Sequence, residues 1–107
     1  MINPEHYTYR HFWSEEDQQF VCLCAEFPGL SWLADTPDAA LRGMLAMISE
    51  VTADMTASGE PIPVPIAHKQ FSGKFAVRIP PESHRKLAME AAEQNISLNR
   101  LVSMKLA

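Results

Sequence analysis

Several things are scarce in this chain. Two cysteines, Cys22 and Cys24, are too few for a disulfide scaffold in 107 residues. No stretch approaches the roughly 18 uninterrupted apolar residues that a membrane span needs. The opening MINPEHYTYR has no basic region followed by an apolar core, so no secretory signal and no membrane association are expected, and the cytoplasm is the expected compartment. There is no internal repeat and no long low-complexity tract. Basic residues are scarce in one part only: Arg10 and Arg42 alone precede residue 67.

What is present is ordinary in amount and uneven in placement. Apolar residues make up 47% and charged residues 21%, which suits a globular protein and excludes disorder along the whole length. The net charge of −4 conceals a division. In residues 1–66, ten acids face two cations, giving −8; in 67–107, seven cations face three acids, giving +4. An acidic segment joined to a basic one implies two partners of opposite sign.

Residues 7–13 (YTYRHFW) read as a strand with Tyr7, Tyr9, His11 and Trp13 on one face. A polar turn follows at 14–18. Residues 19–27 read as a second strand, apolar throughout and stopped by Pro28 and Gly29, and 30–34 as a third. Thr36 is positioned to cap a helix, with Pro37 in its first position and Asp38 at the positive end of its dipole. Ala39 stands where a capping box would need Glu or Gln. Leu41, Met44, Leu45, Ile48, Val51 and Met55 recur at steps of three and four, and Gly59 is placed to end the helix. Alternate prolines at 61, 63 and 65 then restrict 60–65 to an edge strand or a stiff linker, and the domain boundary is expected near 61–70.

In 71–79 (FSGKFAVRI), Phe75, Val77 and Ile79 alternate with Lys74, Ala76 and Arg78. A helix is expected over about 81–94, a turn at Asn95 and Ile96, and a last helix capped by Ser97. One strand and two helices, in under about 40 residues, rarely make a stable core alone. Two chains that pair these strands antiparallel would bury Phe75, Val77 and Ile79, together with Leu87, Leu98, Leu101 and Val102 of the helices. The result is a two-stranded ribbon, which fits a DNA major groove. Its exposed face would carry Lys74, Ala76 and Arg78, with Ser72 beside them. The Ser97–Asn99 helix start would meet a backbone phosphate.

The segment GKFAVRIPPESHRKLAMEAAEQNISLNRLV resembles the ribbon-helix-helix part of HicB-family antitoxins. Gly73-Lys-Phe, Arg78-Ile-Pro80, His84, Leu87, Ala91 and Ser97-Leu-Asn99 carry the resemblance. Glu26-Phe-Pro-Gly-Leu30, Ala34-Asp-Thr-Pro37, Ala39-Ala-Leu41 and Gly59-Glu-Pro-Ile-Pro63 extend it over nearly the whole chain. The resemblance implies an α+β protein. Residues 1–66 would form a toxin-binding domain with a partial ribonuclease-H-like βββαβ fold and no nuclease activity. Residues 67–107 would form an Arc-like ribbon-helix-helix domain for dimerisation and DNA binding. It implies an antitoxin that neutralises a HicA-type RNA-cleaving toxin and represses its own operon, as a homodimer or larger homo-oligomer, without cofactor or enzymatic activity. The alternative is a stand-alone regulator whose first domain senses a ligand or oligomerises.

The remaining chemistry-bearing residues are read conservatively. Asp17, Glu26, Asp35 and Asp38 show no spacing of a two-metal nuclease site. Cys22 and Cys24 share a strand face without further ligands at zinc spacing, so packed thiols are expected. The four histidines show no metal-binding spacing, and His84 is read as structural. Met44, Met47 and Met55 are read as core. Trp13, Trp32, Glu26 and Asp35 are the candidates for a toxin-facing surface.

Overall fold

A computed structural model describes residues 2–107. The chain is α+β and divides into two compact units, residues 1–71 and 72–107. Ala67 and His68, beyond the change in charge, stay with the first unit.

The first unit holds a three-stranded antiparallel sheet in the order β1 (Tyr9–Ser14), β2 (Gln19–Cys24), β3 (Ser31–Ala34). Tyr9 pairs with Cys24, His11 with Cys22 and Trp13 with Phe20, while Phe20 and Cys22 pair on their other side with Ala34 and Trp32. Directly opposed residues share a face, so this register gathers Tyr9, Cys22, Cys24, Phe20 and Ala34 on one side. The helix α1 (Pro37–Ala57) packs there. β2 is shorter than its apolar run predicts. After Cys24 the chain turns through Phe27 N–H to Cys24 C=O (3.1 Å) and Leu30 N–H to Phe27 C=O (3.1 Å).

Both ends of α1 follow the chemistry of their residues. Thr36 is extended, and its Oγ1 accepts from Ala39 N–H at 3.1 Å. At the other end Gly59 has φ +77°; its N–H reaches Thr56 C=O at 3.2 Å, and Glu60 N–H reaches Met55 C=O at 2.8 Å. That is a Schellman motif, which glycine enters without steric cost. The buried line of α1 is Ala40, Met44, Ile48 and Thr52, with Leu41, Met47, Val51 and Met55 along its margins. Leu45, expected in the stripe, is only half-buried. Ala40 and Thr52 belong to this buried line although apolar counting passes over them. The Thr52 hydroxyl is satisfied by Ile48 C=O at 2.9 Å. Truncating Met44 or Ile48, both fully buried, to alanine costs about 2–5 kcal/mol.

No ladder bonds join residues 60–65 to the sheet, so the last strand of a βββαβ order is absent among the described residues. The segment is fixed instead by side chains. The Tyr7 hydroxyl donates to Pro63 C=O at 2.8 Å, and Pro65 is fully buried.

The second unit consists of α2 (Pro81–Glu93) and α3 (Leu98–Leu106), preceded by an extended segment. Asn95, at φ +58°, links them. Its N–H bonds Ala92 C=O at 3.1 Å and Ile96 N–H bonds Ala91 C=O at 3.0 Å, a second Schellman motif with asparagine in the left-handed position. Ala91 and Leu101 form the small buried centre between the helices.

Candidate nucleic-acid interface

In the single chain, 71–79 forms no strand pair, and every residue from Phe71 to Pro80 is exposed. An isolated extended segment leaves both rows of backbone donors and acceptors open, and this chain offers it no neighbouring strand. Gly73, at φ +82°, bends the segment near its start, where Ser72 Oγ accepts from Lys74 N–H at 3.1 Å. Ser72 is therefore engaged in a local turn.

Beyond that bend the alternation stands in the open. Phe75 and Val77 are 75% and 63% exposed, and Ile79 is also exposed. Lys74, Ala76 and Arg78 interleave with them, equally accessible. Leu87, Leu98 and Val102 are half-buried and Leu101 is only 3% exposed. Leu101 thus closes the α2–α3 pair within one chain, whereas Phe75 and Val77 are left mostly uncovered and Ile79 partly so.

Ser97 is extended and its Oγ accepts from Arg100 N–H at 3.1 Å, which fixes the start of α3. Asn99 and Arg100 lie exposed in its first turn. At the other end, Lys105 Nζ meets Glu90 Oε1 at 3.2 Å, an exposed pair worth little to stability. Arg85 and Lys86 line a shallow depression with Pro81 and Glu82 at the start of α2 and add two cations to those of 74–78. His84 is exposed on the same helix.

The candidates in the first unit do not converge on one site. Trp13 is exposed, with Nε1–H donating to Glu15 Oε2 at 2.7 Å and its ring edge-on to Phe20. Trp32 is 41% exposed and lies over Gly43 of α1. Asp35 Oδ1 accepts from Gln19 Nε2 at 3.3 Å. Glu26 is occupied by the fold. Its carboxylate accepts from Thr8 N–H and Ile66 N–H, both at 2.9 Å, and from the Thr8 hydroxyl at 3.2 Å. Partial burial pushes this carboxyl upward, but the backbone N–H donors outweigh burial and leave it below its ordinary value. This long-range role had no local signature in the sequence.

Burial raises both thiols, Cys22 and Cys24, which keeps them protonated and unreactive in the core. No group of three His, Cys, Asp or Glu is arranged to hold a metal ion among the described residues. No helix among them is long and apolar enough to cross a membrane.

The model of the HicB family matches residues 57–106. The match spans just under half of the chain, from the end of α1 through α3. Over that segment the chain is similar to the HicB family. The motifs around Glu26 and Thr36 precede the matched segment. No curated protein and no solved structure matches the chain significantly.

Proposed function

We propose that the protein is an antitoxin whose first unit binds a small, basic, RNA-cleaving toxin of the HicA type and whose second unit dimerises on operator DNA as a ribbon-helix-helix. The observation that carries the reading is the uncovered segment 74–79. Phe75 and Val77 stand mostly open and Ile79 partly so, cations alternate with them, and the segment leads into a compact helix pair inside the stretch matched by the HicB family. A second chain supplies what is missing: paired strands satisfy the open backbone rows, and pairing covers Phe75, Val77 and Ile79 while leaving Lys74, Ala76 and Arg78 outward. The acidic first part suits a cationic partner, and the basic second part suits DNA.

Neutralisation and repression are separable in one experiment. The full-length protein is co-expressed with the gene beside its own, and growth, complex formation and gel shift on the upstream DNA are followed. Growth rescue with a stoichiometric complex supports the antitoxin reading. DNA binding without any such complex favours the stand-alone regulator.

A further inference from the structure

His6 and His68 are separated by 62 positions, yet His6 Nδ1 lies 2.9 Å from His68 Nε2. Their rings stand at 70° with centroids 5.0 Å apart, so they meet through nitrogen instead of stacking. Each histidine ends a short 3-10 turn, Pro4–His6 and Ile66–His68. Both turns are anchored. Asn3 Oδ1 accepts from Glu5 N–H at 2.9 Å, and the Tyr9 hydroxyl donates to Pro4 C=O at 2.8 Å. On the other side Pro65 is buried and Ile66 N–H is held by Glu26 at 2.9 Å. The two imidazoles are therefore brought together by the surrounding fold, while both remain exposed.

We propose that His6 and His68 form a two-histidine chelate for a divalent late first-row cation, Cu²⁺ or Ni²⁺ ahead of Zn²⁺. Two imidazole nitrogens at about 2.1 Å from a shared ion lie about 3.0 Å apart at a right angle and about 3.4 Å apart at a tetrahedral angle. At the observed 2.9 Å the two nitrogens share a hydrogen bond, and the right-angle separation of square-planar and tetragonal Cu²⁺ and Ni²⁺ sites is reached from it with little change in their distance. One nitrogen of the pair already presents a lone pair. A tautomer shift in the other ring, with a modest rotation of each, presents the second. No third His, Cys, Asp or Glu joins them among the described residues, so water completes the coordination. Such an ion would staple the start of the first unit to the segment that leaves it.

The test is Ni²⁺ titration of the full-length protein without an affinity tag, followed calorimetrically, with unfolding of the first unit read by tryptophan fluorescence. One Ni²⁺ per chain is expected, together with an upward shift of the urea midpoint. His6→Ala and His68→Ala should each weaken binding more than about tenfold and abolish the shift. His11→Ala and His84→Ala, which alter other exposed histidines, should leave both unchanged. Wild-type affinity in either His6→Ala or His68→Ala overturns the assignment, as does the absence of saturable binding in the unaltered chain. Because both side chains are exposed, the alanine variants should fold, and their tryptophan spectra verify this.

Discussion

Gly43 sits in the interior of α1, where glycine costs about 1 kcal/mol relative to alanine, so Gly43→Ala should stabilise the helix taken alone. In this fold it should do the opposite. A Cβ at Gly43 would lie 1.9 Å from Trp32 Nε1 and 2.4 Å from Cδ1 and Cε2, so the indole must leave its place. Trp32 is 41% exposed, meaning that a little over half its surface is covered. A tryptophan buries about 150–250 Å² when enclosed, so roughly 90–150 Å² is at stake here, or about 2–4 kcal/mol at about 25 cal/mol per Å². The propensity gain offsets about 1 kcal/mol, leaving a net loss of about 1–3 kcal/mol. Removing the indole reverses the sign: in a Trp32→Ala background, Gly43→Ala should gain about 0.5–1 kcal/mol. The assay is urea unfolding at constant m, followed by fluorescence. Trp13 remains as a reporter of the first unit in both backgrounds, since the chain has only two tryptophans. Equal stabilisation by Gly43→Ala in both backgrounds would refute the packing argument, because the coupling between contacting residues would then be zero.

Three further outcomes are expected. Glu26→Gln should destabilise the first unit by about 1–3 kcal/mol by removing a charged acceptor from Thr8 and Ile66. Because the folded Glu26 carboxyl lies below its ordinary value, its stabilisation is complete above the unfolded pKa and disappears as pH falls through the folded one. Urea midpoints should therefore fall on acidification below about pH 5, less steeply in Glu26→Gln, and identical slopes would sink the assignment. Lys74→Ala and Arg78→Ala should each weaken operator binding by about 1–3 kcal/mol without altering helicity; gel shifts unchanged at moderate salt would remove these side chains from the interface. Phe75→Asp should leave α2 and α3 folded, since Phe75 is uncovered in the single chain, yet abolish dimerisation and DNA binding. A variant still dimeric by light scattering contradicts the ribbon.

What was legible in the sequence follows the range of the forces involved. Thr36, Pro37 and Gly59 act on their own neighbours, so both ends of α1 can be placed from the residues alone. Ser97 is equally local. The strands are recognisable, but β2 ends earlier than its apolar run because the chain turns at Cys24–Phe27, where Phe27 N–H bonds Cys24 C=O. The bonds from Glu26 to Thr8 and Ile66, the Trp32–Gly43 approach and the His6–His68 pair join positions remote in sequence, and nothing in their own windows announces them. The alternation at 74–79 is clear as a pattern, but its consequence depends on a second chain. A single chain can show only that its apolar face is left open.

The bonds from Tyr7 to Pro63 and from Glu26 to both Thr8 and Ile66 bring the beginning and the end of the first unit to one place. Its path is thus a nearly closed loop, with entry and exit side by side. A unit of that kind can be grafted between two sequence neighbours without prying them apart, and its old entrance and exit can be joined by a short bridge while new ends are opened at the exposed turn 15–18. The same closure makes the exit vulnerable to the entrance. Cutting back the residues before Thr8 would loosen the run of alternate prolines some 55 positions later, and would also uncover the face of α1 that Tyr7 and the Pro4–His6 turn pack against.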